Sequence, residues 1–113
     1  MKNLRNSVQL IGRLGKDPEV KTLTSGKSMA TFTLATSDIY YNSDGEKIED
    51  TQWHNIVAWG PKGEAASKYL NKGKEIAIEG KLIHRSYETS TGDKRYITEI
   101  NMNELLMIGS KKD

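Results

Sequence analysis

Two tryptophans lie six residues apart in Thr51 to Trp59, a segment whose alternating side chains predict a β-strand. Because successive side chains of a strand point to opposite faces, Trp53 and Trp59 share one face, about 20 Å apart, with Asn55 between them. Exposed indoles are flat surfaces on which nucleic-acid bases stack, at about 1 to 3 kcal/mol per base. The sequence also allows the alternative that both tryptophans are ordinary core residues.

Further aromatic and basic side chains would extend such a surface. Tyr40 and Tyr87 stand at the edges of predicted turns, although exposed tyrosines are common without a function. Six basic residues lie near turns or on strand faces that would border the same groove: Arg13, Lys21, Lys62, Lys72, Arg85 and Arg95. Each alone is ordinary solvated charge. Together they would follow a phosphate backbone, and binding would weaken as salt rises because it releases condensed counterions.

Catalytic and metal-binding chemistry find no support in the sequence. His54 and His84 each stand alone in a strand pattern, without the carboxylate and nucleophile that a catalytic histidine needs. The acids of residues 44 to 50 lack the spacing of an EF-hand, and there is no cysteine for a thiolate site. Gly26-Lys27-Ser28 ends like a phosphate-binding P-loop, but Lys21 occupies the position of its earlier glycine. We therefore predict a protein that is not an enzyme, with no catalytic or metal-binding residue and no cofactor.

Charge is unevenly distributed along the 113 residues. The net charge of +2, from 17 basic and 15 acidic residues, implies no particular partner. Residues 38 to 50 hold five acids and one base, which leaves 16 bases and 10 acids, or +6, on the rest of the chain. A basic surface interrupted by one acidic loop suits a polyanion, and ordinary solvated charge is the alternative. No apolar run is long enough for a secretory signal or a membrane span, so we expect a cytoplasmic protein with no membrane partner.

Strand patterns dominate the chain. They cover residues 7 to 14, continue at 20 to 23 after a break, and return at 28 to 36, 51 to 59, 75 to 83 and 95 to 108. Ala30, Phe32 and Leu34 give the third of these segments one apolar face. The turn at residues 42 to 45 predicts a long hairpin with an exposed acidic arm. Gly12 and Gly80 mark bends.

One segment has helical periodicity. Ala65, Ala66, Tyr69 and Leu70 form a stripe that predicts a helix of about two turns over residues 64 to 71, with Gly73 as its left-handed cap. Five strands with a helix between the third and the fourth predict an all-β, five-stranded Greek-key barrel, the OB-fold, which binds oligonucleotides or oligosaccharides.

Five stretches of the chain resemble, in the same order and at the same spacing, the family of bacterial single-stranded DNA-binding proteins. They are Gly12 to Val20 (GRLGKDPEV), Leu34 to Ser37 (LATS), Thr51 to His54 (TQWH), Ala66 to Leu70 (ASKYL) with Lys72-Gly73, and Ile78 to Leu82 (IEGKL). The resemblance spans roughly residues 6 to 108. It implies an OB-fold, a homotetramer, and sequence-tolerant wrapping of single-stranded DNA during replication, recombination and repair.

The resemblance also implies roles for particular residues. The stacking aromatics of the family fall on Tyr40, Trp53, Trp59 and Tyr87, and a histidine of its subunit interface falls on His54. Its basic DNA contacts fall on Lys21, Lys72, Arg85 and Arg95. Arg13 has no counterpart, and two further basic positions of the family are Pro61, with Lys62 beside it, and Ile83 here. Tyr40 and Tyr87 replace tryptophans of well-known members, so stacking there would be weaker.

We expect one DNA-binding domain over residues 1 to 108 and a short frayed end over 109 to 113. The sequence ends in Gly-Ser-Lys-Lys-Asp, without the linker and acidic tip by which the family recruits repair proteins, so we expect DNA binding without that recruitment. Association with the nucleoid would follow. Two alternatives remain open: an RNA-binding OB module, and a protein-interaction or assembly module that binds no nucleic acid.

Overall fold

The computed structural model describes residues 4 to 108. This part of the chain forms six strands and one helix: β1 (Val8–Leu14), β2 (Glu19–Thr22), β3 (Ser28–Tyr41), β4 (Lys47–Trp59), α1 (Pro61–Tyr69), β5 (Glu75–Glu88) and β6 (Lys94–Met107). The expectations for residues 109 to 113, a frayed end without a recruiting tip, lie outside the described residues. In residues 4 to 108 no helix is both long and apolar enough to cross a membrane.

Five of the strands close into a barrel. Their order is β1, β5, β6, β4, β3, and β1 closes the ring by pairing Arg13 with Ala35 and Leu14 with Leu34 of β3. The short β2 adds to the other side of β3. The strand pairs are antiparallel except for β4 with β6. With α1 between the third and fourth barrel strands, this arrangement confirms the predicted all-β OB-fold.

The core fills the barrel and follows from the alternation of its strands. Ala30, Phe32 and Leu34 are buried, as the sequence predicts for one face of β3. On β4, Ile56 and Ala58 are fully buried between outward-facing neighbours. Each strand therefore directs one set of side chains inward, which fixes the outward direction of the other set.

The helix begins at Pro61, three residues before its predicted start at Glu64. Gly60 turns the chain with a φ of 61°, and Pro61 takes the first helical position, where its missing N–H costs no hydrogen bond. The strands flanking the turns at 42 to 46 and 89 to 93 are also longer than predicted.

The apolar stripe of the helix is narrower than predicted. Ala66 and Leu70 belong to the core, whereas Tyr69 is 54% exposed. Gly73 has the predicted left-handed φ of 85°, but it lies in the turn that follows the helix and not at the helix cap. The reason is that Leu70 already has an extended backbone and ends the helix.

Both predicted bend glycines lie where strands approach each other closely. A β-carbon on Gly12 would come within 2.1 Å of the Ala35 carbonyl oxygen, so only glycine lets β1 cross onto β3 and close the barrel. At Gly80 the register between β5 and β6 shifts in a bulge, which bends β5.

Two hairpins extend from the barrel. β4 and β6 pair only through residues 55 to 57 and 99 to 101, so the earlier halves of these strands belong to separate ribbons. We call residues 37 to 51 the β3–β4 arm and residues 83 to 98 the β5–β6 arm. The β3–β4 arm carries the acidic segment, and its Asp38, Asp44, Glu46, Glu49 and Asp50 are all exposed, as predicted.

Candidate nucleic-acid interface

The strand register of β4 sets one face of the barrel. Trp53 pairs with Ala35, Asn55 with Thr33, and Trp59 with Met29. Because Ile56 and Ala58 point into the core, Trp53, Asn55 and Trp59 point outward; we call this side the outer face. Trp53 is 61% exposed and Trp59 is half-buried, so neither is the core residue that the alternative interpretation required.

A groove of about 440 Å³ runs across the outer face beside Trp59. It brings together four predicted residues: Lys21, Asn55, Trp59 and Arg85. It also includes residues that the sequence analysis did not select: Lys16, Thr31, Thr33, Ile97 and Glu99. The threonines alternate with the buried residues of β3, a signal that would have placed them on this face. The groove thus combines an aromatic surface, cations and hydrogen-bonding groups, the means by which proteins bind a single nucleic-acid strand.

Lys27 lies against Trp59. Its ammonium nitrogen is 5.6 Å from the centroid of the indole, within the range of a cation–π interaction. The sequence analysis missed this contact because Lys27 precedes β3, and only the pairing of Met29 with Trp59 brings the two ends of the hairpin together.

Arg85 and Glu99 form an ion pair on the outer face. Arg85 Nε donates to Glu99 Oε1 at 2.9 Å and Nη2 donates to Oε2 at 3.3 Å, so two parallel hydrogen bonds join the groups. The hydrogen bond and the charge of Glu99 raise the pKa of Arg85 above its ordinary value. Sequence reasoning missed Glu99, since nothing in its neighbourhood distinguishes it from a solvated acid.

Trp53 lies over Gly15. A β-carbon on Gly15 would come within 2.5 Å of the indole, so the tryptophan ring occupies the space that a side chain there would fill. Next to the ring a small depression of about 140 Å³ is lined by His54, Asn55 and Thr98 among others. His54 Nε2 shares a hydrogen bond of 3.0 Å with Thr36 Oγ1. Asn55 Nδ2 donates to the Thr98 carbonyl oxygen at 3.5 Å.

The two predicted tyrosines lie on different faces. Asn55 faces outward and pairs with Glu99, which in turn pairs with Ile83. Tyr87 and its partner Arg95 lie an even number of residues from Ile83 and Glu99, so they too lie on the outer face. Tyr40 lies on β3, five residues after Ala35, the partner of Trp53, and the pairing between β3 and β4 is unbroken over this distance. Because five is an odd number, Tyr40 points to the opposite side of the ribbon from Trp53. Both tyrosines are about half exposed, but only Tyr87 continues the surface of the tryptophans.

Of the six basic residues that the sequence analysis expected to border one groove, Lys21 and Arg85 line it and the other four do not. One of the four, Arg95, pairs with Tyr87 on the outer face. Arg13 shares a cross-strand row with Ala35, but its guanidinium donates to the Gly73 carbonyl oxygen at 3.1 Å and lies 3.7 Å from Glu75. Lys62 is exposed on α1, and Lys72 is exposed in the turn that follows it. The reason is their place in the fold: Arg13 lies where β1 closes onto β3, Lys62 lies on α1 and Lys72 lies in the turn before β5, whereas the groove is lined mainly by β3, β4, β5 and β6.

Known proteins share this sequence and architecture. The model of the single-strand binding protein family matches residues 5–108. Single-stranded DNA-binding protein 1 of Chlorobaculum tepidum is 49% identical over 107 residues, which are 94% of this chain and 66% of that protein. The single-stranded DNA-binding protein of Neisseria meningitidis serogroup A is 38% identical over 96% of this chain and 62% of its own length.

A solved structure described as the Plasmodium falciparum SSB complex with ssDNA superposes with a TM-score of 0.82 at 32% identity, covering 96% of this chain and 99% of that one. This chain therefore spans about two thirds of the length of those two bacterial relatives and nearly all of the solved chain. Because the family model covers nearly all of the described residues, the chain belongs to the single-strand binding protein family.

Proposed function

We propose that this protein binds single-stranded DNA with little sequence preference, through stacking and phosphate contacts on the outer face. The observation that carries the proposal is the placement of Trp53, Trp59 and Tyr87 on one side of the barrel with cations beside them. The family match supports DNA as the ligand, and the solved relative is described as a complex with ssDNA. Each aromatic contributes about 1 to 3 kcal/mol by stacking on a base.

The proposed roles divide between groups. Trp53, Trp59 and Tyr87 provide the stacking surfaces, and Asn55 offers an amide to a base or sugar. Lys21 and Arg95 contact phosphates, since neither makes an ion pair within residues 4 to 108. Tyr40, Arg13, Lys62 and Lys72 remain predicted contacts for a strand that continues past the outer face.

In the cell, such a protein would coat exposed single strands in the cytoplasm, associated with the nucleoid. The coat would protect the strand and remove its secondary structure during replication, recombination and repair. The bacterial relatives are named as single-stranded DNA-binding proteins, which supports this setting. The proposal requires no catalytic step, because stacking and ion contacts alone hold the strand.

We also propose that the chain assembles as a homotetramer. Ile11, Ala77 and Leu106 form one row across β1, β5 and β6, with Ile11 and Leu106 60% and 63% exposed. An apolar row of this kind is a surface that subunits bury. Wrapping one strand over several subunits strengthens binding because the later contacts become intramolecular. His54 remains the predicted interface residue, and sedimentation equilibrium of the wild type and of Ile11→Glu tests the assembly: a monomeric wild type would contradict it.

The function is tested by titrating the protein with oligo-dT while following tryptophan fluorescence at several salt concentrations. We expect strong quenching and an affinity that falls as salt rises, with duplex DNA as a poor competitor. Competition by oligo-U distinguishes DNA from RNA: equal affinity for oligo-U would favour the RNA-binding module. An absence of both quenching and binding would reject the proposal and favour the protein-interaction module.

A further inference from the structure

Arg85 differs from Lys21 and Arg95 in being held by two hydrogen bonds to a carboxylate. Its guanidinium is held by both oxygens of Glu99, whereas Lys21 and Arg95 make no ion pair among the described residues. Yet Arg85 lies in the groove with Trp59, and Tyr87 follows two residues later on the same face of β5. The paired guanidinium therefore lies on the surface between two aromatic side chains.

The Arg85 side chain is more exposed than its partner. The Glu99 side chain is 13% exposed and the Arg85 side chain is 50% exposed, so the carboxylate lies deeper and the guanidinium lies toward solvent. Two parallel hydrogen bonds fix the orientation of a planar group. A guanidinium fixed in this way presents a flat face, and arginine planes stack on nucleic-acid bases.

The charge of the pair works against a phosphate contact. A phosphate that approached Arg85 would also approach the Glu99 carboxylate, and like charges repel. The pair carries no net charge, so a strand bound over it would release no additional counterion there. Lys21 and Arg95, in contrast, keep their full charge.

We propose that Glu99 is a positioning residue that makes Arg85 a stacking surface for a base instead of a phosphate contact. The inference rests on the proposed function. It assigns a role to an acid in a DNA-binding groove, and it distinguishes Lys21 and Arg95, which contact phosphates through their charge, from Arg85, whose charge is neutralised by Glu99 and whose planar group stacks on a base.

The test measures oligo-dT affinity against salt concentration for the wild type, Lys21→Gln, Glu99→Gln and the double variant Arg85→Gln/Glu99→Gln. Lys21→Gln is the matched control, and it should reduce the slope of log affinity against log salt by about 0.7, the value for one phosphate on a single strand. The double variant Arg85→Gln/Glu99→Gln removes both charges of the pair, so it should leave the slope unchanged and weaken binding about 2- to 5-fold by loss of the planar group. Glu99→Gln should release the charge of Arg85 and steepen the slope by about 0.7.

A fourth variant, Arg85→Lys, separates the planar group from the charge. Lysine keeps the positive charge but has no planar group, so the same 2- to 5-fold loss is expected. The inference is overturned if the double variant Arg85→Gln/Glu99→Gln lowers the slope as much as Lys21→Gln does, if Glu99→Gln leaves the slope unchanged, or if Arg85→Lys binds as well as the wild type. A wild-type protein that does not bind oligo-dT at any salt concentration would instead reject the proposed function itself.

Discussion

Gly15 lies directly beneath the indole of Trp53, where a β-carbon would come within 2.5 Å of the ring and 2.7 Å of Thr33 Oγ1. The φ of Gly15 is not positive, so the glycine provides space and not a special backbone conformation. The exposed ring can move away from a methyl group at little cost, but it would then leave its place on the outer face. Gly15 therefore links the loop after β1 to the stacking surface.

We expect Gly15→Ala to separate binding from stability. Displacing Trp53 should cost up to the contribution of one stacked base, about 1 to 3 kcal/mol of oligo-dT affinity. The free energy of unfolding should change by only about 0.5 kcal/mol, because the atoms that the new β-carbon would meet belong to side chains, which can move, and not to the backbone. Fluorescence titration and urea unfolding measure the two quantities. An affinity equal to that of the wild type would show that the position of the ring does not matter for binding.

Gly63→Ala should have the opposite effect. A β-carbon there would come within 2.4 Å of the Ala58 carbonyl oxygen and 3.0 Å of the Ala30 backbone nitrogen, neither of which can rotate away. Overpacking between α1 and the barrel should cost about 1 to 3 kcal/mol of unfolding free energy. The folded fraction should bind oligo-dT normally, since the helix does not line the groove. Urea unfolding checks the prediction, and an unchanged midpoint would contradict it.

The tyrosines of the β5–β6 arm provide a matched pair. Tyr87 and Tyr96 are 49% and 76% exposed, but they lie on opposite faces, because Tyr87 pairs with Arg95 and Tyr96 pairs with Ser86. Tyr87→Ala should weaken oligo-dT binding by about 1 to 3 kcal/mol. Tyr96→Ala, which removes the same group from the other face, should leave the oligo-dT affinity unchanged. Equal losses in both variants would show that the strand does not follow the outer face.

The sequence predicts the outer face well because strand alternation is local. Alternation places Trp53 and Trp59 on one face of the strand and Ile56 and Ala58 on the other, but the sequence left open which face is buried. The burial of Ile56 and Ala58 decides that the tryptophans face outward. Tyr40 is different. Its face depends on thirteen uninterrupted pairs between β3 and β4, and neither the length nor the continuity of that register is visible in the strand pattern at 28 to 36.

Contacts between distant segments were less predictable. The pairing of Arg85 with Glu99 depends on which residues of β5 and β6 face each other, and the bulge at Gly80 shifts that register. The sequence alone shows where each charge is, but not which charges neutralise each other. The sequence could not show that Lys62 and Lys72 lie away from the groove, because this too depends on which distant segments come together.

Leu34→Ala should test the strength of the barrel core. Leu34 is fully buried on β3, opposite the half-buried His54 of β4. Its truncation leaves a cavity and should cost about 2 to 5 kcal/mol, while the milder Ile56→Val should cost about 0.5 to 1.5 kcal/mol. Chemical denaturation followed by circular dichroism measures both. Similar small losses for the two variants would mean that the barrel relaxes around Leu34 and is less tightly packed than its burial indicates.

Lys27 offers a last prediction, because its ammonium lies 5.6 Å from the centroid of Trp59 in the free protein. A base that stacks on that side of the indole must displace the ammonium, at a cost of about 0.5 to 1 kcal/mol, yet the displaced charge remains near the phosphates and favours binding at low salt. We therefore expect Lys27→Gln to bind oligo-dT more weakly than the wild type at low salt and about 2- to 5-fold more tightly at high salt, where charge is screened. Lys68→Gln is the matched control, since Lys68 lies at the same distance from Tyr69 on the helix, away from the groove, and its affinity should not change. Weaker binding of Lys27→Gln at every salt concentration would show that Lys27 attracts the strand without covering its stacking surface.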